Sequence, residues 1–349
     1  MQESVLKHKK LTFQKFGANT SVLGAMTYRA GALWPYRFVA SVWRDLLDHH
    51  PSLSVETSTP VLVVHVSESR DEVTEAYPYF VLTDRGAIKA RHVVHATNGH
   101  VAQLVPGLRG KLAGTVGHMS AQRPGARLAG ADGSRSWSII YGRGFDYVTQ
   151  RPVGPDGRAG DLMLGGGWAS SPGQGVDMLG KYDDATTDAL TAAHLLGIFP
   201  AVFGPDWGDT TASCDASLSD DTTPSSPADS ATPSKPHGNN SIPCIWTGVL
   251  GIPADYRPFV GRLDESTTDR PLPSWAKNPA PGVARPEVPA GEWISAGYMG
   301  DGMVWAWLCG TAVGDMLCGR DVAWLPPELR ADKERVRKAN MTDLLDEVT

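Results

Sequence analysis

The chain has 349 residues, 41% of them hydrophobic, enough to bury a sizeable core and to form two domains. Its formal net charge of −6 argues against nucleic acid or an anionic membrane as the main partner. The four cysteines (Cys214, Cys244, Cys309, Cys318) show neither a CxxC pair nor a Cys/His metal spacing. No signal-peptide core opens the chain and no run reaches the ~18 apolar residues of a membrane span, so a soluble cytoplasmic protein without a metal is expected.

In chain order, Gly24 to Arg29 leads into a helix over Trp34 to Asp48, with Trp34, Phe38, Val39, Val42, Trp43, Leu46 and Leu47 on one face. Pro35 sits at its start, where a missing N–H costs little, and His49-His50-Pro51 ends it. Pro60 to Val66, Tyr79 to Asp84 and Ala87 to Ala96 read as three strands, with Arg85-Gly86 as the turn between the last two. Beyond Lys111 to Gln122, the segments Trp137–Tyr141, Phe145–Gln150 and Asp161–Leu164 read as antiparallel strands. Alternation puts Phe145, Tyr147 and Thr149 on one face and Asp146, Val148 and Gln150 on the other. Asp183 to Leu196 has the period of a surface helix. The stretch 213–243 is rich in Ser, Thr, Asp and Pro and nearly free of aliphatics, so it reads as a disordered insertion. Arg270 to Gly291, with six prolines, is a second irregular loop, and Pro326 to Thr349 reads as a charged, peripheral helical tail.

The stretch Glu292 to Gly319 organises the rest. Trp293 to Ala296 is a short buried strand; Gly297, Gly300 and Gly302 open the backbone; Met303 to Cys318 continues as an apolar helix. Glycines at a strand-to-helix turn let main chain approach a ligand closely. The helix start offers unpaired N–H groups and partial positive charge at Gly302, Met303 and Val304, which suits an anion or an electron-rich ring edge. Asp301, as N-cap, would hold the first turn. An ordinary buried helix after a glycine turn has the same spacing.

Six blocks in fixed order carry a resemblance: GALWPYRFVASVW (Gly31–Trp43), STPVLVV (Ser58–Val64), HVVHATNGHVAQLVPGLRG (His92–Gly110), GDLMLGGG (Gly160–Gly167), WTGVLGIPADYRPFVGRL (Trp246–Leu263) and WISAGYMGDGMVWAW (Trp293–Trp307). With them the chain resembles the FAD-dependent oxidoreductases of the D-amino-acid oxidase, glycine oxidase and sarcosine oxidase type, most of all their fungal branch. The resemblance implies a mixed α/β (α+β) fold in which an incomplete Rossmann-like FAD domain (1–110 and 245–325) accompanies an antiparallel-sheet substrate domain (111–212). It implies that main chain around Val61 meets the adenine and that Ala96, Thr97, Asn98 and Gly99 pass the pyrophosphate side. Gly300, Asp301, Gly302, Met303 and Val304 would face the flavin. On the substrate side it points to Tyr147, whose alternative role is a core tyrosine. It also points to Arg257, a carboxylate partner through its forked guanidinium or else a structural arginine.

The family begins with a strand, a G-x-G-x-x-G turn and a helix, and this sequence has no such fingerprint. Without that strand, those at Val61–Val66 and Val93–Ala96 would expose apolar edges. Three readings follow. One is a flavoprotein oxidising a C–N bond of a small amine or amino acid; another is a truncated, flavin-free accessory or binding protein. The third is a non-redox biosynthetic enzyme with His95, His100 and His118 as titratable candidates.

Overall fold

A computed structural model of the protein describes residues 4–6, 16–125, 128, 133–155, 157, 159–204, 207, 244–277 and 288–348. The expected insertion at 213–243 lies outside them. The main elements begin with β1 (Ser4–Leu6), β2 (Ala25–Thr27), α1 (Pro35–His49), β3 (Val61–Val66), β4 (Tyr79–Thr83), β5 (Gly86–Ala90) and β6 (His92–His95). Next come β7 (Leu112–Gln122), β8 (Ser136–Tyr141), β9 (Gly144–Gln150), β10 (Leu162–Gly165) and α2 (Ala189–Phe203). The chain ends with β11 (Cys244–Pro253), β12 (Phe259–Arg262), β13 (Gly291–Ala296), α3 (Gly302–Leu317), α4 (Lys333–Lys338) and α5 (Met341–Val348). The fold is mixed α/β with largely antiparallel sheets, as expected.

The chain divides into two compact units, 1–32 with 118–170 and 187–246, and 33–117 with 171–186 and 247–349. These bounds differ from the expected ones. Residues near Asn19 belong with the first unit because the Asn19 N–H donates to Val202 O at 2.6 Å. Segment 171–186 belongs with the second, where Gly180 N–H donates to Gly114 O at 2.8 Å and the Tyr182 hydroxyl accepts from Gly114 N–H at 3.0 Å.

In the first unit, β10 pairs antiparallel with both β7 and β9, and β9 with β8. The alternation read from sequence holds here: Asp146, Val148 and Gln150 are buried, whereas Phe145 and Tyr147 are exposed. Val148, Leu162 and Leu164 pack against Leu195, Phe199 and Phe203 of α2. This helix was expected at the surface and several residues earlier. It starts instead at Asp188, whose carboxylate accepts from Thr191 N–H, and its Leu195–Phe199–Phe203 stripe makes it a core element. Asp146, fully buried on this face, accepts from Gly167 N–H at 2.8 Å and from the Tyr141 hydroxyl at 3.0 Å through Oδ1. Its Oδ2 accepts from His194 Nε2 at 2.8 Å. Burial and the adjoining carboxylate push the Tyr141 phenol up. Asp146→Ala would leave these donors without their acceptor, and a loss of ~2–4 kcal/mol is expected from the shift of the urea midpoint. Tyr141→Phe, which removes one donor and strands nothing, should cost about 1 kcal/mol.

The second unit contains a three-stranded sheet in the order β12–β13–β6, antiparallel at β12 and parallel between β13 and β6. The expected single strand Ala87–Ala96 is two strands: β5 joins β3 and β4 in a separate antiparallel sheet, and β6 pairs with β13. β13 is buried throughout; Val260 and Trp293 of β12 and β13 meet Cys309, Ala312 and Val313 of α3. On β6, at the sheet edge, Val94 is 45% exposed, and on β3, also at an edge, Val61, Leu62 and Val63 are exposed. The C-terminal tail is not peripheral. Leu329, Val336 and Leu344 are buried, and Arg335 forks onto Asp255 at 2.8 and 3.0 Å while stacking over Phe259. Among the described residues, no helix is long and apolar enough to cross a membrane.

Candidate functional site

Parallel pairing of β6 with β13, in the register His95 to Ile294, brings both strands to an end on one side of the sheet. The turns that leave them, Ala96–Gly99 and Gly297–Gly302, therefore emerge next to each other, the position where open α/β sheets bind ligands. Asn98 joins the two turns. It adopts a left-handed backbone (φ 46°), and its Oδ1 accepts from Gly297 N–H at 2.9 Å and Tyr298 N–H at 3.3 Å.

The glycines here answer to different demands. A Cβ on Gly99 would lie 2.6 Å from Leu250 O, so the turn needs glycine to sit against β11. Gly297 combines a φ of 86° with a Leu112 methyl 2.9 Å from an added Cβ, and Gly300 needs its φ of 104°. Gly302 has neither constraint: its φ is ordinary and an added Cβ would meet nothing closer than Tyr298 Cβ at 3.9 Å. Glycine at that helical position costs about 1 kcal/mol relative to alanine without a packing gain. The space is open at Gly302, whereas Gly99 and Gly297 are packed against their neighbours.

At the start of α3, Asp301 occupies the N-cap position but makes no side-chain cap, contrary to expectation. Its ψ of 28° departs from the extended backbone that aims a cap side chain back at the helix. The carbonyl of Asp301 accepts instead from Val304 N–H at 2.9 Å and Trp305 N–H at 3.1 Å. Val304 is thus not a free donor as read from sequence. Among the described residues, no acceptor faces the N–H groups of Gly302 and Met303. Ala96, Thr97, Gly300, Asp301, Met303 and Val304 are exposed.

The same two strands hold a buried carboxylate that sequence reasoning did not single out, although it had named its partner His95. Glu292 of β13, 1% exposed, accepts from His95 Nε2 at 2.7 Å and from Arg270 at 2.8 Å through Nε and 2.6 Å through Nη2. Arg270 also donates to Leu104 O at 3.0 Å. Burial alone would raise the Glu292 carboxyl, but Arg270 and His95 outweigh it and hold the group below the ordinary glutamate range. The available signal was a histidine and a glutamate inside two short apolar strands.

The remaining predicted residues lie elsewhere. Val61 is in the β3–β4–β5 sheet, opposite Thr83. Tyr147, on the exposed face of β9 in the other unit, lies over Gly165, where an added Cβ would be 2.3 Å from the ring. Arg257 is exposed in the turn between β11 and β12; its carbonyl accepts from Arg335 Nη2 at 2.6 Å. His118 accepts from Asp188 N–H at 2.9 Å, and His100 packs against the Tyr182 ring at 5.4 Å.

No protein-family model matches the sequence, and no curated protein matches it. Solved structures do match the fold. Glycine oxidase from Geobacillus kaustophilus is similar with a TM-score of 0.58 at 14% identity, over 95% of this chain and 67% of that one. L-proline dehydrogenase from P. horikoshii gives 0.58 at 15% identity, over 94% and 68%. NikD, an amino acid oxidase essential for nikkomycin biosynthesis, gives 0.55 at 14%, over 96% and 68%. The chain therefore has the fold of these proteins and spans about two thirds of their length.

Proposed function

We propose that this chain is the body of a cytoplasmic FAD-dependent oxidoreductase that converts the C–N bond of a small amine or amino acid to an imine. The observation that carries the reading is Gly302, a glycine the fold does not require, set at a helix start where, among the described residues, two N–H groups have no acceptor. That arrangement fits a flat, electron-rich ring edge. When bound, the flavin would supply the hydride acceptor for the carbon next to the substrate nitrogen. In this reading the N–H groups of Gly302 and Met303, with the positive end of α3, hold negative charge at the ring edge. Ala96 to Gly99 and Gly300 to Val304 supply main chain for close approach, and main chain at Val61 meets the adenine. Tyr147 and Arg257 are assigned to the substrate side, Arg257 as the fork for a carboxylate. An amine arriving neutral needs no further acid or base from the protein.

A flavin-free accessory role is the alternative. A visible spectrum of the purified chain with added FAD separates the two. Bands of protein-bound oxidised flavin are expected, and a chain that stays colourless overturns the oxidoreductase reading. Gly302→Val should abolish flavin binding with an unchanged far-UV spectrum, because an added Cβ meets nothing closer than Tyr298 Cβ at 3.9 Å. Flavin retained by that variant would show that the ring lies elsewhere.

A further inference from the structure

At the end of β13 away from the Gly297 turn lies a cavity of about 690 Å³, walled by the start of β4, the end of β12 and residues 331–333. Its size falls within the ~300–1,000 Å³ of small-molecule sites. Tyr79, the first residue of β4, is 2% exposed, with its ring packed among Val81, Leu272 and Ala276. Three of the charges that act on its phenol, Glu292, Arg262 and Glu265, line the same cavity, so the hydroxyl is the end that faces it. Burial first, and then the Glu292 carboxylate, push the phenol up, which keeps it an uncharged donor at neutral pH. Among the described residues that hydroxyl has no hydrogen-bond partner. A buried polar group left in that state costs ~1–3 kcal/mol unless a ligand answers it.

The charges around the hydroxyl identify the kind of ligand. Lys277 is matched with Glu265 at 3.0 Å, Lys333 with Asp264 at 3.3 Å, and Glu292 with Arg270 and His95. That leaves one charge of each sign. Arg262 donates through Nη2 to Ala290 O at 2.7 Å and has no carboxylate partner among the described residues. Asp332 makes no side-chain cap for α4 and no ion pair there. Ala331 N–H donates to Val260 O at 2.9 Å, and Arg330 bridges Val260 in parallel, so residues 330–332 run beside β12 and Asp332 comes abreast of Arg262. A phosphate would meet the carboxylates of Asp264, Glu265 and Asp332 at close range, whereas a molecule with one charge of each sign meets a partner for both. We propose that this cavity binds a small zwitterion, its carboxylate held by Arg262 and the Tyr79 hydroxyl and its ammonium by Asp332. Binding there requires no flavin.

The test is titration calorimetry of the full chain at neutral pH with glycine, diglycine and triglycine, which differ in the spacing of their two charges. Saturable binding of at least one of them is expected. Arg262→Gln and Asp332→Asn should each weaken it at least ~tenfold, and Tyr79→Phe about fivefold. Because the Tyr79 hydroxyl serves no partner in the fold, Tyr79→Phe should leave the urea midpoint unchanged or raise it. Acetylating the amino group of the bound compound should weaken its binding to wild type and make Asp332→Asn indifferent. Absence of saturable binding by all three compounds overturns the proposal. So does an acetylated compound that binds as tightly as the free one, binding indifferent to Tyr79→Phe, or a lowered urea midpoint in that variant, which would make the hydroxyl structural.

Discussion

Arg270→Met should cost ~3–5 kcal/mol of stability at neutral pH, the range for breaking a buried ion pair on one side. The residue itself is 13% exposed, but its partner Glu292 is 1% exposed and cannot regain water. His95 would remain as a neighbour at 2.7 Å, and Leu104 O would also lose a donor. Chemical denaturation followed by far-UV circular dichroism measures the effect, and a change below about 1 kcal/mol would mean that the triad is not structural. The pH dependence gives a second check. The folded Glu292 carboxyl sits below its ordinary value of 4.5, so its contribution is fully present above that value and lost as pH falls through the lower folded one. In Arg270→Met the stranded carboxylate takes up a proton more readily. The gap between wild type and variant should therefore be widest above pH ~5 and close in acid.

This triad also marks where sequence reading stopped. Periodicity located α1 and the β8–β9–β10 strands because their apolar residues recur at helical or alternating spacing, and the β13–α3 junction because glycines separate two apolar runs. Splitting of Ala87–Ala96 at Arg91 was illegible, since the stretch holds no Gly, Pro, Asn or Asp to mark a break and does not say which neighbour each half pairs with. Burial of the charged tail was hidden for a similar reason: Arg335 reads as a surface residue until Asp255, eighty positions away, is placed against it. In the candidate site, the glycines were visible as a spacing, but only geometry sorted them. Gly99 and Gly297 serve packing, Gly300 serves the turn, and Gly302 serves none of these. Asn98 was picked for its main chain, whereas its side chain is what ties the turns.

Asn98→Ala should uncouple the two turns, with an expected loss of ~2–4 kcal/mol. One part is the acceptor withdrawn from Gly297 and Tyr298 N–H, ~1–3 kcal/mol. The other is the left-handed backbone at φ 46°, which alanine tolerates less well than asparagine by up to ~1 kcal/mol. Comparing substitutions separates the parts. Asn98→Gly accepts the backbone but lacks the acceptor, so it should recover only the smaller share. Asn98→Asp keeps an oxygen before both N–H groups and should remain near wild type in stability. If the joined turns form the cofactor slot, Asn98→Gly should also bind FAD at least tenfold more weakly than Asn98→Asp. Equal flavin affinity in the two, alongside unequal stability, would separate the lock on the fold from the site and move the ring away from this corner.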